Sequence, residues 1–460
     1  MAGFPTRYEL RDYMPAADPR ATVVVGDARF TVLTDRLLRM EYRGAVAFED
    51  RPTLAFVHRR QPVPPFEWDM AEGALTTGHL RLRYIGGPFS AESLWVEPAP
   101  AALPSRGAFA GWRFGQTSGD DPLNLRGTIR ALDKKNNVSL KCNGGGGGGG
   151  SRWVGAGFDS SDHCAWGVVS RSGWALVNET GAPCLDETDD WWADETGAML
   201  RNRNRHDLYL FGHGADFRGA LRDFTAVGGA VPLPLRYQLG VLFSRWFDYD
   251  TEGVRALVRT FDQRRLPLDG LILDMNWHTK PAWTGYTWDE TLFPEPAELV
   301  GWLRRRGLAV GANLHDAGGV GTDEATYARV AAAMGVSDGK GVPLSLTNKT
   351  YLFALEDITL APVEANGIDV WWIDWQQGET SSSTGQDGLP DGKMNPTFWT
   401  AKTRATDHKR RAVQAAERAA RGANGEGRAA ERQGRAALQA DGEGRKTETE
   451  REGRGRDVDG

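Results

Sequence analysis

The stretch Val370-Trp371-Trp372-Ile373-Asp374 is an apolar run that ends in a carboxylate. A short apolar run of this kind is typical of a parallel β-strand that is buried on both faces. Three similar runs precede it, and amphipathic segments of helical period separate the runs. This alternation predicts βαβ units around a parallel sheet. The predicted strands are residues 239–244, 268–275, 308–314 and 368–374, and the predicted helices are residues 252–264, 297–306 and 323–334.

The patterned region is too short for a closed barrel. A (β/α)8 barrel typically needs about 250 residues, whereas about 160 residues lie between Gly240 and Trp399. We therefore predict that residues 235–400 form the first half of a catalytic (β/α)8 (TIM) barrel.

Residues 1–234 have a different pattern, in which short alternating segments are separated by Gly, Pro and Asp. Regularly spaced strands without long helices predict an N-terminal β-sandwich. Seven consecutive glycines, Gly144 to Gly150, interrupt this region. Because glycine loses much backbone entropy on ordering, we expect residues 143–151 to form a flexible loop.

Residues 401–460 are rich in Arg, Glu, Gly, Ala and Gln, and their large aliphatic residues are Val413, Leu438 and Val458. Such a composition buries too little apolar area to offset the entropy of ordering, so we predict a disordered, non-native tail of low complexity. The predicted fold class is multidomain β plus α/β: a β-sandwich, an incomplete barrel and this tail.

Charge and composition exclude several functions. The formal net charge is −6, which gives no electrostatic reason to expect nucleic acid or an acidic membrane as a partner. The three cysteines, Cys142, Cys164 and Cys184, match no zinc-ligand spacing, and the glycine run lacks the Lys-Ser/Thr of a nucleotide loop. We expect no metal and no cofactor. No signal peptide or membrane span is seen, which favours a cytoplasmic location, and the oligomeric state stays open.

The carboxyl ends of the four predicted strands carry carboxylates, histidines and aromatic residues. Because the active site of a parallel barrel lies at these ends, the side chains should face one mouth. Tryptophan faces and carboxylates are the groups that bind sugars, so a carbohydrate is the expected ligand. The residues predicted to bind substrate are Asp274, Trp277, His278, His315, Trp372 and Trp246.

Asp374 and Asp274 are the best-placed pair of carboxylates for glycoside hydrolysis. A retaining glycosidase needs a nucleophile and a general acid about 5 to 5.5 Å apart. Other interpretations stay open: an Asp at a strand end can be a helix N-cap, and His278 and His315 can be hydrogen-bonded core residues. Trp371 and Trp372 alternate faces, so at least one of them should pack in the core.

Several ordered motifs resemble glycoside hydrolase family 31, from about residue 20 to residue 400. They are residues 237–249, LILDMNWH at 271–278, WTGYTW at 283–288 and WWIDWQQG at 371–378, with NLRGT at 124–128 and DLYLFGHG at 207–214 in the N-terminal region. The resemblance implies an α-glucosidase-like enzyme with a galactose-mutarotase-like β-sandwich and double displacement. It places the nucleophile at Asp374 and a carboxylate that binds sugar hydroxyls at Asp274.

The chain departs from the family pattern after about residue 411. The Arg-Trp-Gly-Gly stretch and the later Gly-Asp motif, which carries the family's general acid, do not follow residue 378. We therefore expect the general acid to be absent and the α-glycosidase activity of this chain to be doubtful. Two alternatives are a non-catalytic carbohydrate-binding remnant and a defective translation product. Gln376 and Gln377 differ from the Asn-Glu of well-known α-glucosidases, which leaves glucose, xylose and galactose configurations open.

Overall fold

The computed structural model describes residues 13–44, 47–100, 109–125, 167–186, 190–279, 283–337, 339–374, 399–408 and 411. The predicted glycine loop, Cys142, Cys164 and residues 412–460 lie outside these ranges. The chain divides into one compact unit of residues 1–403 and a second of residues 404–460. Within the second unit, Arg411 forms an ion pair with Asp407 at 2.7 Å.

Two antiparallel sheets, each of five strands among the described residues, form the amino-terminal part of the first unit. Their strand orders are β1-β2-β3-β10-β9 and β4-β5-β6-β7-β8. The strands are β1 (Thr22–Val25), β2 (Ala28–Thr34), β3 (Leu37–Tyr42), β4 (Phe66–Asp69), β5 (Ala74–Thr77), β6 (Leu80–Tyr84), β7 (Leu94–Pro98), β8 (Trp112–Arg113), β9 (Ala175–Asn178) and β10 (His206–Phe211).

The two sheets share an apolar core. Phe30 and Met40 of the first sheet and Leu82 and Val96 of the second belong to one buried cluster. Strand β6 alternates buried and partly exposed residues, as expected of a sheet with one solvated face. Strand β3 is buried at every position because a second apolar cluster covers the outer face of its sheet.

That outer cluster includes a helix that the sequence analysis did not predict, α1 (Phe217–Gly228). Its N-cap is Asp216, whose carboxylate accepts a hydrogen bond from the Gly219 N–H at 2.9 Å. Val227 is fully buried against this sheet. The expectation of strands without long helices up to residue 234 is therefore wrong at α1.

A parallel sheet follows, with the order β11-β12-β13-β14 among the described residues. The strands are β11 (Leu242–Arg245), β12 (Gly270–Leu273), β13 (Ala309–Leu314) and β14 (Val370–Ile373). All three pairings are parallel, with Leu273 opposite Ala312 and Asn313 opposite Trp372. The predicted parallel sheet is confirmed.

The helices that cross between these strands are amphipathic. Their bounds are α2 (Thr251–Gln263), α3 (Pro296–Arg305), α4 (Tyr327–Met334), α5 (Lys349–Ala354) and α6 (Ala361–Glu364). Asp250 caps α2 through a hydrogen bond from the Gly253 N–H, and Val254 and Val258 bury the helix's apolar side. The first three match the predicted helices, although α4 begins four residues after residue 323.

The connection between β13 and β14 contains further helix that was not predicted. Helix α5 continues through a π-helical stretch, Leu355–Leu360, into α6. Pro362, which has no backbone N–H, lies at the second position of α6, directly after the π-helical stretch. Residues 401–408 are also helical, and Trp399 is fully buried. The prediction of a disordered tail from residue 401 is therefore wrong for residues 401–408, which continue directly from Trp399, whose ring lies 4.5 Å from that of Trp192.

Candidate active site

The carboxyl ends of three neighbouring strands carry Asp274, His315 and Asp374. Asp274 follows β12, His315 follows β13 and Asp374 follows β14. The parallel register aligns these ends, and the Asp374 N–H donates to the Leu314 carbonyl at 3.0 Å. Since side chains alternate along a strand, Asn313, His315, Trp372 and Asp374 share one face of the sheet.

Two side chains contact the Asp374 carboxylate: Asn313, which lies in β13, and His315, which follows the strand. The Asn313 amide donates to Asp374 Oδ2 at 2.8 Å, and His315 Nε2 lies 3.5 Å from the same oxygen. The Asp374 side chain is 31% exposed, so the carboxylate is open to a ligand while it is held from below. The arrangement suits a positioned, reactive carboxylate.

Asn313 was not among the predicted site residues. It is fully buried, and its backbone carbonyl accepts a hydrogen bond from the Trp277 indole at 2.8 Å. Asn313 Oδ1 has no hydrogen-bond partner among the described residues. A polar amide within an otherwise apolar strand, two positions before His315, was the signal in the sequence that would have identified it.

Asp274 is half-buried at the start of a short 3-10 turn, Met275–Trp277. Its carboxylate accepts a hydrogen bond from the Met275 N–H at 2.8 Å. Burial raises the pKa of Asp274, and the nearby Asp374 charge raises it further, against the opposing Met275 hydrogen bond. The two aspartates therefore act on each other electrostatically, as two carboxylates at one mouth should.

His315 is buried, and burial lowers its pKa although Asp374 and Asp274 oppose the shift. A lowered pKa leaves the imidazole neutral near pH 7. The Trp283 ring lies against it, with the ring centres 4.5 Å apart. His315 therefore contacts the candidate nucleophile on one side and an aromatic ring on the other.

Trp277 and His278 lie beneath the mouth. Their exposed fractions are 1% and 2%, so neither presents a ring face to a ligand. Trp277 supports Asn313, and burial lowers the pKa of His278, whose Nδ1 lies 3.1 Å from the Thr279 carbonyl. Their predicted contact with substrate needs correction, because tight packing leaves no room for a sugar at either ring.

The two remaining predicted tryptophans are exposed. Trp372 is 36% exposed on the face of Asp374, whereas Trp371 is buried and donates its indole N–H to Glu364 Oε1 at 2.8 Å. Of this pair, Trp371 is the core residue. Trp246 follows the edge strand β11 and is 70% exposed.

Hydrogen bonds join the loop of residues 283–288 to the loop that follows β13. Glu324 accepts hydrogen bonds from the Tyr286 N–H at 3.0 Å and the Thr287 hydroxyl at 2.6 Å. The Tyr286 hydroxyl donates to Asp316 at 3.0 Å. Burial raises the pKa of Glu324, against the hydrogen bonds that it accepts. Asp316 and Glu324 thus serve as acceptors that hold these two loops together.

Within the described ranges, no group of three or more His, Cys, Asp or Glu side chains could hold a metal ion. In the same ranges, no helix is long and apolar enough to cross a bilayer.

The comparisons with known proteins agree on one family. The family model for the TIM-barrel domain of glycosyl hydrolases family 31 matches residues 231–421. The match ends at residue 421, about ten residues after the point at which the departure from the family was expected. It also covers the beginning of the segment that was predicted to be a non-native tail.

Two curated relatives match parts of the chain. Alpha-glucosidase 2 of Bacillus thermoamyloliquefaciens is 33% identical over 124 residues, which are 27% of this chain and 14% of that protein. An alpha-xylosidase of Saccharolobus solfataricus is 22% identical over 179 residues, which are 38% of this chain and 23% of that protein. The matched segments thus span less than a quarter of each relative.

A solved structure shares the fold more widely. The GH31 alpha-xylosidase from a soil metagenome, determined with xylose, has a TM-score of 0.53 and 12% identity. The alignment covers 85% of this chain and 63% of that structure. It supports a β plus α/β fold for this chain.

Proposed function

We propose that this chain is a retaining α-glycosidase of glycoside hydrolase family 31, with Asp374 as its nucleophile. The observation that carries the proposal is the contact of Asp374 with Asn313 and His315 at the carboxyl end of the parallel sheet. The names of the two curated relatives favour α-linked glucose or xylose as the sugar.

In the first step, an Asp374 carboxylate oxygen attacks the anomeric carbon, and the bond from that carbon to the leaving-group oxygen breaks. The product is a glycosyl ester of Asp374, and the leaving group departs with the bonding electrons. In the second step, water attacks the anomeric carbon, loses a proton and frees the carboxylate. Two inversions retain the configuration of the sugar.

The neighbours of Asp374 suit this role. The Asn313 amide donates to Oδ2, which orients the carboxylate. A neutral His315 neither protonates Asp374 nor forms a strong ion pair with it, so the carboxylate keeps its nucleophilicity. The nearby negative charge of Asp274 favours the positive charge that develops on the sugar ring in the transition state.

Asp274 is assigned to the sugar hydroxyls. Asp274 Oδ1 accepts a hydrogen bond from the Met275 N–H. The second carboxylate oxygen can accept hydrogen bonds from sugar hydroxyls. A sugar or alkyl leaving group also needs a proton from a general acid, which is worth about 10²–10⁴-fold in rate. We assign that acid to no residue, and the test below uses leaving groups that depart without it.

Covalent trapping tests the nucleophile directly. The protein would be incubated with 5-fluoro-α-D-glucosyl fluoride or 5-fluoro-α-D-xylosyl fluoride, whose fluoride leaves readily while the ring fluorine slows hydrolysis of the ester. We expect mass spectrometry to find one added glycosyl group on the peptide that contains Asp374. The Asp374→Asn variant should remain unlabelled.

Hydrolysis of 4-nitrophenyl α-D-glucoside and α-D-xyloside gives the second readout. We expect Asp374→Asn to lose activity by more than about a thousandfold. Asp262→Asn is the matched control, because Asp262 pairs with Arg306 on the helical surface. Equal turnover by wild type and Asp374→Asn, or a label on another carboxylate, would remove Asp374 from the mechanism. Sugar binding without label or turnover would instead support a non-catalytic carbohydrate-binding protein.

A further inference from the structure

We propose that Trp283 is the aromatic platform for the sugar ring whose anomeric carbon faces Asp374, and that the loop of residues 283–288 is held rigidly to present it. The inference rests on the proposed function, since it concerns the same mouth. Trp283 was absent from the predicted site residues, and its position becomes evident only from the loop that carries it.

The position of Trp283 follows from its contact with His315. The Trp283 and His315 ring centres are 4.5 Å apart, and His315 Nε2 lies 3.5 Å from Asp374 Oδ2. These contacts limit the distance from Asp374 Oδ2 to the Trp283 ring centre to about 9 Å. A sugar with its reacting carbon about 3.3 Å from the nucleophile and its ring about 4 Å from an aromatic face fits that span.

The exposure of Trp283 distinguishes it from the tryptophans beneath the mouth. Trp283 is 41% exposed, whereas Trp277 is 1% and Trp288 is 8% exposed. A large aromatic side chain with this exposure near the Asp374 carboxylate has the composition of a sugar-binding site. His315 covers one part of the indole, and we place the pyranose ring against its exposed part.

The loop behind Trp283 has little freedom to move. The Thr284 hydroxyl accepts a hydrogen bond from the Gly318 N–H at 2.9 Å, and the Thr287 hydroxyl accepts one from the Ala325 N–H at 3.0 Å. Thr287 also donates to the buried Glu324. These contacts fix both ends of the 284–287 segment to the loop that follows β13.

Gly285 provides a further constraint. A Cβ atom added at this glycine would lie 2.1 Å from His278 Nδ1, so the backbone packs directly on the buried imidazole. Only glycine allows this approach. The loop is therefore anchored on His278 below and Glu324 at the side, and Trp283 is preorganised for stacking rather than free to swing.

A packing role for Trp283, as a cover over His315, predicts a different mutational pattern. Leucine would cover His315 nearly as well as phenylalanine, because both are large and apolar. Stacking on a sugar requires a flat ring, which phenylalanine retains and leucine lacks. The comparison of Trp283→Phe with Trp283→Leu therefore separates the two roles.

The experiment measures the affinity of the intact chain for methyl α-D-glucoside and methyl α-D-xyloside by NMR titration. We expect Trp283→Leu and Trp283→Ala to weaken binding by about tenfold and Trp283→Phe by less than about threefold. Trp95→Leu is the matched control, because Trp95 lies in the β-sandwich beneath the Arg113 guanidinium and should leave binding unchanged.

A milder variant tests the anchoring of the loop even if the Trp283 variants fold poorly. Thr287→Val preserves the shape of the side chain but removes the hydroxyl that bridges Glu324 and Ala325. We expect about threefold weaker binding with an unchanged far-ultraviolet circular dichroism spectrum. Unchanged affinity in Thr287→Val would overturn the rigid presentation of Trp283.

Asp274→Asn separates failure of the platform from failure of the proposed function. If Trp283→Leu binds both sugars like wild type while Asp274→Asn has lost binding, the platform is refuted and the proposed function stands. If wild type binds neither sugar and is not labelled by the fluorides, the proposed function is refuted, and the platform with it.

Discussion

The β-sandwich and the mouth at the parallel sheet both hold carboxylates at or next to strands, but the groups beside these carboxylates differ. In the sandwich, Arg39 donates to both oxygens of Asp207 at 2.8 and 2.6 Å and lies 3.1 Å from Glu41. At the mouth, the neutral Asn313 amide donates a hydrogen bond to Asp374, and the Asp374 charge acts on a second acid, Asp274. Paired opposite charges stabilise the scaffold, whereas two like charges face each other at the mouth.

The pKa shifts of the two regions record this difference. Burial by itself raises the pKa of Asp207, but the Arg39 charge and hydrogen bonds hold the pKa below its usual range. Burial likewise raises the pKa of Asp274, and there the neighbouring Asp374 adds to the shift. A cation beside a buried carboxylate therefore decides whether that carboxylate stabilises or strains the folded state.

The largest expected effect comes from removing the sandwich cation. Arg39→Met leaves the fully buried Asp207 and Glu41 without the guanidinium between them. We expect the free energy of unfolding to fall by about 3–5 kcal/mol, measured by urea denaturation. Arg39→Lys should recover part of the loss. A change below about 1 kcal/mol in Arg39→Met would contradict a stabilising role for this cluster.

Neutralising the candidate nucleophile should not lower the free energy of unfolding, in contrast to the removal of Arg39. Asp374→Asn removes the repulsion of Asp274, and we expect the free energy of unfolding to stay within about 0.5 kcal/mol of wild type or to rise by up to about 1 kcal/mol. The same denaturation assay measures it. Destabilisation of about 2 kcal/mol or more would place Asp374 among the structural charges and weaken the contrast.

The smallest expected effect is a difference in pH dependence. Because the pKa of Asp274 is raised in the folded state, its contribution to stability is complete below the ordinary value of 3.8 and is lost as the pH rises through the folded pKa. Asp207, with a lowered pKa, contributes above 3.8 and loses that contribution as the pH falls through its folded pKa.

Asp274→Asn should remove the loss of stability that Asp274 causes in wild type as the pH rises from 3.8. The unfolding free energy at pH 7 minus that at pH 4 would therefore be more positive in Asp274→Asn than in wild type, whereas the surface control Asp262→Asn should match wild type. An identical pH dependence in Asp274→Asn and wild type would show that Asp274 is not strained by burial and by Asp374.

The structure agrees with the sequence most closely where the apolar period was regular. The four parallel strands and helices α2 and α3 lie within a few residues of their predicted positions, because burial on both faces imposes a continuous apolar run on each strand. Helix α1 was missed although Phe217, Ala220, Phe224 and Val227 recur at helical spacing. It was missed because the sequence before it has the alternating pattern of β-strands.

The candidate site was predicted in part for a related reason. Asp274, His315 and Asp374 could be found because each ends a strand, and strand ends of a parallel sheet meet at one edge. Their catalytic and binding roles remain predictions. Asn313 and Trp283 were missed because neither position ends a strand, and a side chain's partner across the sheet cannot be read from its neighbours in the chain.

The sequence by itself determined the alternation of strands and helices and the polar residues at the strand ends, because local apolar periodicity encodes both. Only the tertiary structure decided that Trp277 and His278 lie buried beneath the mouth while Trp283 remains exposed beside His315. The three residues lie within seven positions of one another and are similarly aromatic. Their exposure depends on which distant segments pack on them, and that information is absent from any local stretch of sequence.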